Sequence, residues 1–141
     1  MKQLISAGGV VFTKKDGNLC ILIAQHASHH GWVFPKGLVG DHIASESKEH
    51  TAIREVQEET GITGKILHTL TPISYSYTDK EDHINKTVYY YVMQFVSGDI
   101  RNHDAEMENV EWINSSKVLE KLTFKSDKKV WLEAAKIINQ A

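Results

Sequence analysis

Between Gly40 and Ile62 the chain reads GDHIASESKEHTAIREVQEETGI, and Glu46, Arg54, Glu55, Glu58 and Glu59 within it are residue types that could do chemistry. Successive side chains on a helix rotate by about 100°, so Glu55, Glu58 and Glu59 share one arc of about 100°. Ile53, Val56 and Thr60 fall on the other side. Like charges at helical neighbour spacing cost a few tenths of a kcal/mol per pair, so a cluster this dense calls for a positive partner. Mg²⁺ suits it, with Mn²⁺ as a possible substitute, because hard cations take oxygen ligands and keep waters and substrate phosphates in their remaining positions. A guanidinium fork grips a carboxylate in a defined plane, so Arg54 is expected beside Glu55 or Glu58. Glu46 is expected to tie the preceding loop to the helix start.

The spacing G-x5-E-x7-R-E-U-x-E-E-x-G-U is met at Gly40, Glu46, Arg54, Glu55, Val56, Glu58, Glu59, Gly61 and Ile62. In this the chain resembles the Nudix hydrolases. One departure concerns the motif glycine, which in the family commonly ends a Phe-Pro-Lys-Gly-like turn. Here Phe34-Pro35-Lys36-Gly37 lies three residues upstream of that register. Either Gly40 is the functional glycine, or Gly37 is and the loop to Glu46 carries an insertion; the second is favoured, because the Trp32–Gly37 stretch looks like the family's passage from strand to loop.

The resemblance implies an α/β/α sandwich with a mixed central sheet and a metal-dependent hydrolase of phosphoanhydride bonds in nucleoside polyphosphates. Glu55, Glu58 and Glu59 would hold the metal, and Glu55 or a later glutamate would act as base. Glu106 stands in a loop resembling the one where several members place an extra glutamate. Lys36 and Lys86 are candidate phosphate contacts. Tyr77 follows Gly61 at a spacing similar to that of a tyrosine in dinucleoside polyphosphate hydrolases, and it or Tyr75 could stack on adenine. The expected substrates are therefore dinucleoside polyphosphates such as diadenosine tetraphosphate. Alternatives are oxidised dGTP, RNA 5′ ends, inositol pyrophosphates, or binding of a nucleotide without catalysis.

The elements that position these residues follow from local pattern. Leu4 to Thr13 reads as a strand, Asp16-Gly17 as a hairpin turn, and Leu19 to Gln25 as the returning strand. His26, His29 and His30 could bind zinc, but no cysteine or second cluster accompanies them, and a polar loop at the site's rim is the reading. Ser45 or Ser47 caps a helix over 47–60 that Gly61 ends. Ile62 to Ile73 reads as strand, 78–82 as a turn, and Lys86 to Val96 as a central strand covered on both sides. A loop over 97–107 is followed by a short strand at 110–113, a short helix at 115–121, and an amphipathic helix from Asp127 to Asn139.

With 141 residues, 41% of them hydrophobic, the chain suits a single domain spanning 1–141. A net charge of −2 gives no basic footprint for duplex nucleic acid. Cys20 cannot form an internal disulfide and reads as a buried strand residue, in keeping with a reducing cytoplasm. No apolar run reaches the ~20 residues of a membrane span, and no export signal is evident. Monomer and homodimer are both open.

Overall fold

The alternation of side chains along the strands builds two cores, one on each face of a single sheet. The structure, a computed structural model, describes residues 2–40 and 44–139. In chain order the strands are β1 (Lys2–Lys15), β2 (Asn18–His26), β3 (Trp32–Val33), β4 (Lys36–Leu38), β5 (Ile62–Thr69), β6 (Ile73–Asp79), β7 (Asp82–Gly98) and β8 (Met107–Asn114). The helices are α1 (Lys48–Thr60), α2 (Val118–Lys121) and α3 (Lys125–Asn139). β1 runs parallel to β7 and antiparallel to β2 and β4. β2 also carries β3 and β8, and β7 carries β5 and β6, all antiparallel. The sheet is therefore mixed.

Val10 and Phe12 of β1 face α3, where they join Ile21, Ile23, Val88, Tyr90 and Val92 against Val130, Trp131, Ala134 and Ile138. Ala7 and Val11 face α1, where Leu22, Ala24, Tyr91 and Met93 meet Ala52 and Val56. Period-two alternation has thus made one sheet the middle of an α/β/α sandwich. α1 begins where Ser47 Oγ accepts the His50 amide at 3.1 Å, and it ends at Gly61, which has φ 80°. That left-handed conformation lets the Gly61 amide donate back to Gln57 O at 2.8 Å.

Several expectations change. The stretch 62–73 is not one strand. Pro72 has no amide to give a ladder, the Thr71 amide turns to Glu133 Oε1 at 2.8 Å, and the chain restarts as β6. β6 and β7 then form a hairpin whose turn narrows to Lys80 and Glu81, with Lys80 at φ 58°. The Pro-Lys-Gly segment is more than a turn, since Lys36–Leu38 pairs with Ser6–Gly8 as β4. The central strand also reaches further than 86–96, from Asp82 to Gly98. Cys20 is half-buried on β2. Among the described residues no helix is long and apolar enough to cross a membrane. Residues 41–43, part of the loop between the two candidate glycines and Glu46, lie outside the described residues, as do Met1, Gln140 and Ala141.

Candidate active site

The glutamates of α1 are organised by Arg54, which lies beside Glu55 and Glu58 as expected, while its two-pronged grip falls on Glu46. Its Nε and Nη2 donate to the two oxygens of Glu46 at 2.7 and 2.8 Å. Nη1 turns the other way, donating to Glu55 Oε1 at 2.9 Å and to Glu58 at 2.9 and 3.0 Å. Glu46 also accepts from Thr51 Oγ1 at 2.6 Å and lies 2.6 Å from His50 Nδ1. The Arg54 guanidinium and these hydrogen bonds hold the buried Glu46 carboxyl down at about 2. One guanidinium therefore anchors the loop before α1 and aims two of the three motif carboxylates beyond it.

Glu55 and Glu59, one turn apart, are buried on the underside of α1. Burial raises both, and it pushes Glu59 to about 9 with help from the charges of Glu106 and Glu55. Their carboxyls hydrogen-bond each other. The upward shift favours a protonated Glu59 that can donate to Glu55. The main-chain amide of Lys36 donates to Glu59 Oε1 at 3.4 Å.

Gly37 explains how α1 comes so near β4. A Cβ there would lie 2.0 Å from Glu55 Cδ and 2.1 Å from its Oε2, so no side chain fits. Gly40 instead has φ 80° and, among the described residues, only Ala44 O nearby, at 3.6 Å, which is the behaviour of a turn residue. Of the two candidates, Gly37 is the one against the carboxylates.

These groups line a cleft of about 480 Å³. Glu55, Glu58 and Glu59 line it together with Lys36, Lys86, His26, His29, Asp104 and Glu106. Glu106 is 56% exposed, with Oε1 3.8 Å from His26 Nε2. His26 Nδ1 accepts the Ser28 amide at 3.1 Å, so a neutral His26 carries its proton on Nε2, toward Glu106. The loop bearing Glu106 is tied to α1 by the Asp104 amide donating to Glu58 O at 3.1 Å. Burial, with Lys36 nearby, lowers Lys86. Among the described residues no three His, Cys, Asp or Glu side chains converge as a ready-made metal cage. Arg54 engages Glu55 and Glu58, and Glu59 is hydrogen-bonded to Glu55. The donor set nonetheless fits a hard divalent cation, being all oxygen, clustered on one helix and carrying a displaceable proton.

Beside this cleft, sharing His29, Val33 and Lys36 with it, is a second of about 590 Å³ lined by Ile73, Tyr75, Val88, Tyr90, Phe124 and Asp127. Its walls are mostly apolar and aromatic. Tyr75 lines it, whereas Tyr77, two residues on with its ring 6.0 Å away, lies outside both clefts. Phe124, set edge-on to His29 at 5.3 Å, was not singled out from the sequence, and neither was Asp127, which Tyr90 OH reaches at 3.3 Å. The terminal helix begins at Lys125, not at Asp127 as expected, and Asp127 lies in its first turn, where an acid ordinarily needs no further reason.

The description NUDIX domain matches residues 2–135. The chain belongs to the Nudix family. A relative named putative mutator protein MutT4, from Mycobacterium tuberculosis, is 34% identical to this Nudix chain over 143 aligned positions. That match takes in 96% of the chain but 56% of the relative, so the chain spans little more than half of that protein's length. A C. elegans Ap4A hydrolase binary complex superposes with a TM-score of 0.73 at 19% identity, over 98% of this chain and 99% of that one. The NUDIX domain of Shewanella oneidensis NrtR, complexed with ADP ribose, gives 0.76 at 23% identity over 98% and 90%. At such identities these two structures establish the Nudix fold and no more. Members of the family generally use divalent metal ions.

Proposed function

We propose that the chain is a divalent-metal-dependent hydrolase of phosphoanhydride bonds in nucleoside polyphosphates, with dinucleoside polyphosphates such as diadenosine tetraphosphate as its main substrates and Mg²⁺ as its metal. The observation that carries this is the adjacency of the two clefts: one lined by three glutamates and two lysines, sharing residues with one lined by aromatic side chains. A polyphosphate needs the first and a nucleoside the second.

In this reading Lys36 and Lys86 draw the phosphate oxygens onto the floor, and Tyr75, with Phe124 near it, takes the base; one base stacked on an aromatic ring gains about 1–3 kcal/mol. Glu55, Glu58 and Glu59 would hold the metal, which when bound neutralises phosphate oxygens and acidifies water. Arg54 keeps Glu55 and Glu58 aimed at the cleft. Glu106 stands at the mouth, exposed enough to meet water, with His26 beside one of its oxygens. It takes the proton of the attacking water as the new P–O bond forms and the bridging P–O bond breaks, with Glu55 the other candidate for that task. The leaving nucleotide keeps the bridging oxygen.

A second reading, hydrolysis of a nucleoside triphosphate or its oxidised form, is supported by the 34% identity to a protein named as a putative mutator protein. A panel of diadenosine tetraphosphate, ATP, 8-oxo-dGTP and ADP-ribose, each with Mg²⁺ and with chelator and with products identified, tests both. Metal-dependent turnover fastest on the dinucleotide is expected. Faster turnover of the triphosphates selects the second reading, and no turnover of any of them refutes both.

A further inference from the structure

Ser6 is fully buried, and its hydroxyl has no hydrogen-bond partner among the described residues. A buried hydroxyl without a partner is costly, whereas alanine would occupy the same place at no such cost. Its surroundings suggest what the hydroxyl is for. Ser6 lines the cleft that holds the motif glutamates. On β1 it stands opposite Leu38 of β4 on one side and Val88 of β7 on the other. Two residues along those neighbours are Lys36, opposite Gly8, and Lys86, opposite Leu4. Strand alternation puts Ser6, Lys36 and Lys86 on one face of the sheet, the lysines at the diagonal positions that long side chains reach across. Glu55 and Glu58 are turned toward Arg54, and Glu59 accepts from the Lys36 main-chain amide, so no carboxylate is hydrogen-bonded to the Ser6 hydroxyl.

A lone hydroxyl between two ammonium groups suits an anionic oxygen and neither a cation nor an apolar group. A phosphate within a polyphosphate chain presents two non-bridging oxygens, each with lone pairs enough to accept from more than one of the three donors. We propose that Ser6 is a substrate-binding residue whose Oγ–H donates to an oxygen of the phosphate held between Lys36 and Lys86. This rests on the phosphoanhydride reading above and adds to it the residue that fixes where the polyphosphate chain lies on the floor of the cleft.

The test is Ser6→Ala, with inorganic tripolyphosphate as the probe, titrated by calorimetry in the presence of chelator. The Kd should rise about tenfold or more, as loss of a hydrogen bond to a charged acceptor does. With whichever nucleoside polyphosphate the wild-type protein hydrolyses, KM should rise by a similar factor and kcat should stay within about twofold. The melting temperature should not fall, since an unpaired buried hydroxyl has been removed. Unchanged Kd and KM in folded Ser6→Ala would overturn the proposal while leaving the hydrolase reading intact. Should Ser6→Ala fail to fold, Ser6→Cys, close in size and a poor donor, must show the same loss of affinity, and its absence overturns the proposal equally. A wild-type protein that neither binds tripolyphosphate nor hydrolyses any nucleotide refutes the hydrolase reading, and this proposal with it.

Discussion

Replacing Glu59 by glutamine should make the protein more stable and less active, and the size of the first effect follows from where Glu59 sits. It is buried, hydrogen-bonded to Glu55, and pushed from the usual 4.5 to about 9 chiefly by burial. For an acid whose folded-state value is raised, stability is greatest below the unfolded value and drains away as pH climbs toward the folded one. At pH 7 the unfolded chain has lost the proton and the native protein has kept it. Over the interval from 4.5 to 7, at about 1.4 kcal/mol per pH unit, the penalty comes to about 3 kcal/mol. Glutamine never ionises, so Glu59→Gln should gain about that much at pH 7, nothing at pH 4, and more at pH 9. In a protein of this size the gain at pH 7 corresponds to a melting temperature higher by roughly 10 °C. Urea unfolding at these pH values measures it. The same substitution removes a proposed metal-holding group and should lower turnover at least about a hundredfold. A variant no more stable than wild type at pH 7 and 9 would refute the claim that the carboxylate is desolvated and crowded.

Breaking the Glu46–Arg54 pair should have the opposite sign: Glu46→Gln should destabilise by about 3–5 kcal/mol at pH 7, the usual cost of removing one partner of a buried ion pair. Because the Glu46 value is depressed to about 2, its contribution is complete above 4.5 and disappears as pH falls toward 2, so wild type and variant should converge there in acid-unfolding curves. Gly37→Ala should cut kcat at least about tenfold, since its Cβ would displace Glu55, whereas Gly40→Ala should leave kcat within about threefold; steady-state assays of the two variants decide between the glycines. Tyr75→Ala should raise KM about tenfold and Tyr77→Ala less than twofold, because Tyr75 alone of the two lines the aromatic cleft.

The chemistry of this protein is written mostly in consecutive residues, which is why so much of it can be read in one dimension. Arg54, Glu55, Glu58 and Glu59 lie within two turns of one helix, and helical rotation alone brings them together. The caps at Ser47 and Gly61 are equally local. Contacts between segments distant in sequence were not legible. Nothing near Arg54 in the helix says that its fork closes on Glu46, which lies ahead of the Ser47 cap and outside the helical repeat. Phe124 and Asp127 join the second cleft only because α3 lies over β7, and Ser6 stands between two lysines only through the register of β1 with β4 and β7. Pro72, read as an ordinary strand residue, was the local signal that could have divided the stretch 62–73.

The break at Pro72 has a further consequence. It sends β6 out as a separate arm whose tip, Lys80 and Glu81, is solvent-exposed, while its base carries Tyr75. If Tyr75 takes the base as proposed, lengthening or retiming that arm would reshape what the protein accepts without disturbing the helix that bears the glutamates. Taste and reactivity are thus inherited on different pieces of chain, free to diverge at different speeds.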